Sequence, residues 1–384
     1  MIQGIRLYPF GSGSRVDTNN KAVYFNVVKI NGVFKIENNL LLSASGKIGI
    51  GIEAIDFLSG SYRKCGVYSV SLKVNGENVF SSAMDGFFFD QTRYINSYID
   101  YAFKQTTGKQ VMKSFVEPNN RLDVYSEVIN DGYIDLEPGK IYDFTYEVTD
   151  IYGNKSTLDF KIKGNTPVKE TMGTMSDNLL SYRKSYELEN DGVKVGIPAN
   201  CFYTDVVFVF KTVAKGNISN VWRVGDRTVP LHLPVSVSIK VPSKFDGYKQ
   251  QVCMARRDAS GKLYYISGNY QFGWINAMVR ETGDYTLAID TVAPVLSIRN
   301  PLPGNNYRGK TAMELTVADN FSGIAEYNGY INGAWTLLEY DPKTKRLICP
   351  LNRIPIEKNK KHTLKVLVKD SCGNQTVKEW EFMY

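Results

Sequence analysis

The segment FFFDQTRYINSYIDYAF, Phe87 to Phe103, places seven aromatic side chains in seventeen residues, a density that demands either a ligand or a core. Sugars stack on aromatic faces and hydrogen-bond to acids and amides beside them. Tyr94, Tyr98 and Tyr101, flanked by Arg93, Asn96 and Asp100, are the candidate ligand-binding residues on that reading. Asp85, Asp90 and Asp100 are the nearby acids from which a glycosidase pair could be drawn, since such chemistry needs two carboxylates facing one bond. The spacing favours another use. Tyr94, Ile95, Tyr98, Ile99 and Ala102 fall on one stripe of a helix, and Asp90 stands where an N-cap would serve. A short helix near 90–103 then buries its stripe and leaves Arg93, Asn96, Ser97 and Asp100 at the rim. Phe87 and Phe89 are assigned to the preceding strand, with Phe88 on its other face.

A second set of residues could bind a metal. The chain carries D-x-x-S-G at Asp56 to Gly60 and again at Asp319 to Gly323, and V-x-D-x-x-G-N at Val148 to Asn154 and at Val368 to Asn374. Asp56 with Asp150, or Asp319 with Asp370, could converge as oxygen ligands for calcium. One carboxylate per loop is thin for that ion. Asp and Asn side chains also bond backbone N–H groups two residues on, and Gly opens conformations closed to other residues, so the motif is favoured as a strand-ending turn. No cofactor is expected on this chain.

Catalytic templates are missing. The two histidines, His232 and His362, are 130 positions apart, and the five cysteines, Cys65, Cys201, Cys253, Cys349 and Cys372, form no C-x-x-C pair. A catalytic zinc needs three converging ligands, which this set does not supply. There is no phosphate-cradling glycine loop and no nucleophile elbow. The chain is therefore expected not to be an enzyme. An odd number of scattered cysteines reads as small buried or half-buried side chains rather than a disulfide framework.

The net charge of +7, from 46 Lys and Arg against 39 Asp and Glu, is mild for 384 residues and calls for no nucleic-acid partner. The densest basic run, Lys343 to Lys365, is mixed with proline and turn residues and reads as a solvated hairpin and loop. No apolar run is long enough to span a membrane. The opening MIQGIRLYPFGSGSRV has no basic stretch leading into an apolar one, so no signal peptide is expected in this chain.

The elements that must position these residues are strands. AVYFNVVKI, KIGIGIEAIDF, VYSVSLKV, DVVFVFKTV, VSVSIKV and TLKVLVKD are rich in Val, Ile, Tyr and Phe and end at turn residues. Asn31-Gly32, Asn75-Gly76 and Asn332-Gly333 predict tight antiparallel hairpins, because Asn-Gly accepts the positive φ angles such turns require. The length suggests two or three cores. The repeated motifs mark a first and a last module, and the polar stretch 163–178 and DTVAP at 290–294 mark their edges. The expected fold is all-β: three consecutive immunoglobulin-like, antiparallel β-sandwiches over 1–165, 166–291 and 292–384, with one short helix inserted in the first.

Several long phrases resemble a known family. KIGIGIEAIDFLSG, CGVYSVSLKVNG, MDGFFFDQTRYINSYIDY, FVEPNNRLDVYSEVINDGYI and VTDIYGNKSTLDFKIKG resemble the region following the catalytic domain in exported lysostaphin-type zinc metallopeptidases (peptidase family M twenty-three) of Bacteroidota. So do VKVGIPANCFYTDVVF, ETGDYTLAIDTVAPVLSI and ADNFSGIAEYNGYINGAW, and the similarity runs nearly from Gly4 to Tyr384. The resemblance implies a non-catalytic accessory region of a peptidoglycan-cleaving cell-envelope enzyme. Its place would be the periplasm, outer membrane or cell surface, and its partners peptidoglycan, another wall glycan or a peptidase domain. The family's H-x-x-x-D and H-x-H signatures do not occur around His232 or His362, so zinc is expected only in a catalytic domain absent from this chain. The alternative is a stand-alone glycan-binding or adhesive surface protein.

Overall fold

Alternation of inward apolar and outward polar residues decides where the sheets fold over. In Lys155–Asn165, Leu158, Phe160 and Ile162 point inward between exposed neighbours, and in the paired strand Ile141–Thr149, Tyr142, Phe144, Tyr146 and Val148 do the same. Each such burial contributes about 1.5–3 kcal/mol. The computed structural model describes residues 1–57, 63–169 and 178–384, the side chain of residue 39 apart.

The chain is all-β, and its buried apolar residues form three large clusters, from Ile2 to Ile162, Leu180 to Leu287 and Leu296 to Tyr384. The first is built on an 11-stranded sheet that curls onto itself. Lys155–Asn165 pairs with Ile141–Thr149 along one edge, and along its other edge first with Val33–Ile36 and then with Leu42–Ala54, closing a ring through Val23–Ile30 and Ile2–Val16. Both closing pairings are parallel, unlike the antiparallel hairpins expected from the turns, because they join strands distant in sequence rather than neighbours across a tight turn.

The KIGIGI pattern has a local cause. Ile48, Ile50 and Ile52 fill the core, while Gly49 and Gly51 lie under the segment that crosses the other face. A Cβ on Gly49 would stand 2.6 Å from the Phe115 ring, and one on Gly51 2.7 Å from Val111. The glycines let a second layer approach the backbone.

The second unit has two five-stranded sheets, one centred on Val235–Lys240 and the other on Gly283–Ile289, around Trp222, Val237, Ile239, Met254, Ile275 and Tyr285. The third has two four-stranded sheets around Leu315, Val317, Leu347, Leu364, Val366 and Phe382. The Asn-Gly pairs at 31–32, 75–76 and 332–333 all take positive φ at both residues, as tight hairpins require.

The aromatic segment departs from its predicted shape. In place of one helix there is a 3₁₀ stretch at Phe89–Tyr94, a single α turn at Ile95–Tyr98, a break, and a second helix at Tyr101–Thr107. Ile99 is extended and bridges to Met112, and Asp100 N–H donates to the Val111 carbonyl, so the backbone at the break is claimed by the crossing segment. Asp100, not Asp90, is the cap: its Oδ1 accepts from Phe103 N–H at 2.9 Å. Phe87, Phe88 and Phe89 lie beyond the strand Glu77–Ala83 rather than within it, and all three are exposed.

Candidate functional site

The residues nominated for ligand binding meet the second sandwich instead. Arg93 donates from Nε and Nη2 to the Leu231 carbonyl and from Nη2 to the Arg280 carbonyl. The Tyr203 hydroxyl donates back to the Arg93 carbonyl, and Asn96 lies beside the same phenol. Tyr94 stacks on His232 with ring centroids 4.3 Å apart, and Tyr203 packs edge-on against that histidine. A short distance along the chain, Asn119 is buried and donates from its side chain to the Asn200 and Phe202 carbonyls, while its N–H meets the Tyr203 carbonyl. Backbone carbonyls are obligatory acceptors, so Arg93 and Asn119 complete groups that the junction has taken from water.

Tyr98 belongs to the core of the first sandwich. It is 4% exposed, with its hydroxyl against Ser82 Oγ at 3.2 Å. Asp100 is consumed as cap, as ion-pair partner of Arg6 at 3.3 Å and as acceptor of the Tyr8 hydroxyl at 2.8 Å. Burial, and then the Asp100 carboxylate, hold the Tyr8 phenol well above its usual range. Tyr101 is half-buried, and its phenol is raised by burial and by Glu281 of the second sandwich. A cleft of about 130 Å³ remains at this junction, lined among others by Asn96, Asp100, Tyr101, Lys113, Glu117 and Tyr203. It falls short of the roughly 300–1,000 Å³ of ligand pockets. The platform reading is thereby corrected at Tyr94, whose ring stacks on His232, and at Tyr98, which lies in the core; Tyr101 is half-buried at the edge of the cleft.

The histidines are positioned by protein contacts. Burial, then Arg93 and Arg121, lower the His232 pKa. His362, in the third sandwich, is 6% exposed, with Nδ1 at 2.8 Å from Asn332 Nδ2 and Nε2 at 2.7 Å from the Glu357 carbonyl. Burial pushes the Cys201 and Cys349 thiols up to about 12, away from nucleophilic use.

The acids divide. Asp150 closes its own turn: Oδ1 accepts from Tyr152 and Asn154 N–H, and Oδ2 from Asn154 Nδ2, which lowers its pKa chiefly through that side-chain bond. Asp56 sits in the two-residue strand Asp56–Phe57, and the rest of its motif, Leu58 to Gly60, lies outside the described residues. No group of three or more clustered acids includes either of them among the described residues. Asp319 and Asp370 do converge, and Asp290 joins them, with one carboxylate oxygen of each within 4.8 Å of the others. Asp290 closes the second sandwich, whereas Asp319 follows the strand Met313–Ala318 and Asp370 ends the strand Lys361–Asp370 of the third. It was missed because it belongs to no repeated motif, although DTVAP already marked a boundary there.

A family model for a Zu5-like domain matches residues 177–290, ending at that aspartate. No curated protein matches the chain. Among solved structures, SGBP-B of the Bacteroides ovatus mixed-linkage glucan utilization locus, in complex with a mixed-linkage heptasaccharide, is 10% identical with a TM-score of 0.16. That match covers 90% of this chain and 62% of the other, so the chain spans under two thirds of that protein. A Ca²⁺-stabilized, ice-binding adhesin of an Antarctic bacterium is 12% identical, with 88% and 94% of the two chains covered and a TM-score of 0.17. Immunoglobulin domains 1–4 of Sidekick-1 are 7% identical, with 99% and 94% covered and a TM-score of 0.18. Likenesses this distant lend this chain no activity.

Proposed function

We propose that the chain is a non-catalytic accessory region of a cell-envelope peptidoglycan metallopeptidase, which spaces and orients the hydrolase against the wall. The observation that carries this reading is the first junction. There the side chains of Arg93 and Asn119 bond four carbonyls of the second sandwich, and Tyr94 stacks on His232. Domains meant to move freely share few such contacts, whereas a spacer must hold an angle. The family phrases supply the hydrolase and the envelope location. The test is to add purified chain to peptidoglycan with and without a lysostaphin-type catalytic domain. The chain alone should release no soluble fragments, and a covalently joined catalytic domain should cleave faster than a separate one. Hydrolysis by the chain alone that a zinc chelator abolishes would overturn the proposal.

A second reading, a stand-alone glycan-binding or adhesive surface protein, has one observation in its favour. Phe88 and Phe89 are 73% and 101% exposed beside Phe87, an apolar group the protein leaves uncovered. Replacing Phe88 and Phe89 by Ala would abolish glycan binding on that reading while leaving the melting temperature unchanged. Unaltered binding would remove it.

A further inference from the structure

We infer that Asp290, Asp319 and Asp370 form a calcium site that fixes the third sandwich on the second, independently of what the chain binds. Three strand ends meet there: Asp290 follows Gly283–Ile289, Asp319 follows Met313–Ala318, and Asp370 ends Lys361–Asp370. Asp290 and Asp370 are each 2% exposed. Among the described residues no Lys or Arg is ion-paired with any of the three. Two buried carboxylates and a half-buried third, set close together without a positive partner, are a costly arrangement unless something offsets their charge.

Hydrogen bonds to backbone hold most of the oxygens but not all. Asp370 Oδ1 accepts from Cys372 and Asn374 N–H, and its Oδ2 from Asn374 Nδ2. Asp290 Oδ1 accepts from Val292 N–H and Oδ2 from Ser322 N–H, and its carbonyl accepts from Asn374 Nδ2. Asp319 Oδ2 accepts from Phe321 and Gly323 N–H. Asp319 Oδ1 is fully shielded from solvent and has no partner. Ser322, 6% exposed and already holding Asp290 through its N–H, keeps its Oγ beside the Cys372 thiol without a hydrogen bond of normal geometry. Two buried oxygens without protein partners, next to three mutually close carboxylates, are groups that an oxygen-loving cation would complete.

The ligand chemistry selects the ion. Oxygens bound to one calcium at about 2.4 Å can stand no more than about 4.8 Å apart, and this group meets that limit. Calcium accepts irregular sets completed by carbonyls and water, whereas magnesium demands near-octahedral geometry and sheds its waters reluctantly. Because Asp290 comes from one sandwich and the other two ligands from the next, the ion ties their orientation together. The repeated turn motif then acquires two uses: at Asp150 it closes a strand, and at Asp370 the same turn presents a carboxylate to a neighbouring domain.

The experiment uses the full chain freed of metal by a chelator. Terbium should bind one site with luminescence sensitised by nearby tyrosine, of which Tyr265 packs on Phe321 of the Asp319 loop with centroids 6.4 Å apart. Calcium should displace the terbium, raise the melting temperature and protect the Asp290–Pro294 link from protease, with magnesium ineffective at the same concentration. Asp319→Asn keeps an oxygen for the turn and should weaken calcium at least about tenfold, because affinity follows ligand charge. Asp258→Asn, at an exposed turn acid elsewhere, should change nothing. No calcium uptake by the unmodified chain up to about 10 mM, about tenfold beyond the weak end for extracellular modules, overturns the inference whatever the variants do. So does uptake that Asp319→Asn, folded by circular dichroism, leaves unaltered.

Discussion

The rings of Tyr94 and His232 stack across the first junction, centroids 4.3 Å apart and planes inclined by 21°, one from the aromatic segment of the first sandwich and one from the second. Tyr203 closes the group edge-on against both. The pair couples two domains through side chains rather than through the chain between them, so its energy should appear as cooperativity between the two sandwiches. Tyr94→Ala and His232→Ala should each lower stability, and a double-mutant cycle should return a coupling of about 0.5–1.5 kcal/mol. Chemical denaturation of the four proteins measures it. Strict additivity would mean that the stack is incidental.

The same histidine makes the junction sensitive to acid. Its folded pKa is lowered, by burial first and then by the Arg93 and Arg121 charges, so the folded form resists a proton that the unfolded chain accepts near its ordinary value of about 6.5. The unfolded state therefore binds more protons below that pH. His232 contributes stability that is complete above about 6.5 and is lost as pH falls from there toward the folded pKa. Melting temperature should drop faster between about pH 6.5 and 5 in the natural chain than in His232→Phe. Parallel curves would show that His232 is not the sensor.

Much of the fold was legible because a strand's burial repeats every two residues and an Asn-Gly hairpin is local. The parallel ring closure between Ile162 and Leu42 was not, since nothing near either residue records a pairing across more than a hundred positions. The aromatic segment shows where local spacing misleads. Ile99 continues the helical stripe in sequence, yet its backbone answers to Met112, and that tertiary claim moved the cap from Asp90 to Asp100. Of the residues expected at the rim, Arg93 and Asn96 are half-buried at the junction, where sequence cannot say that another domain sits, whereas Ser97 and Asp100 are buried. The acids were half legible: a repeat marked Asp319 and Asp370, and only their placement in space adds Asp290.

Arg93 and Asn119 should matter through the carbonyls they satisfy. Asn119→Ala leaves the buried Phe202 carbonyl and the part-buried Asn200 carbonyl without that donor and should cost about 1–3 kcal/mol. Arg93→Ala should open the junction, seen as new protease cuts between the first two sandwiches and a larger radius of gyration in solution scattering. Arg93→Lys should rescue only in part, because one ammonium can reach the Leu231 and Arg280 carbonyls as Nη2 does but loses the second bond that Nε makes to Leu231 and the planar fork that fixes both. An unaltered scattering profile for Arg93→Ala would remove the rigid-spacer argument.

Tyr98 separates core from platform. It is 4% exposed, packs against Tyr125 with centroids 6.2 Å apart and meets Ser82 Oγ in a site closed to solvent. Tyr98→Ala removes a ring from a packed interior and should cost about 3–5 kcal/mol, the range for buried aromatic truncations. Tyr98→Phe keeps the ring, loses one hydrogen bond and should cost about 0.5–1.5 kcal/mol. The two losses must differ severalfold if packing dominates. A sugar platform makes the opposite demand: Tyr98→Ala would leave the melting temperature intact and abolish glycan binding, which the burial of this ring opposes.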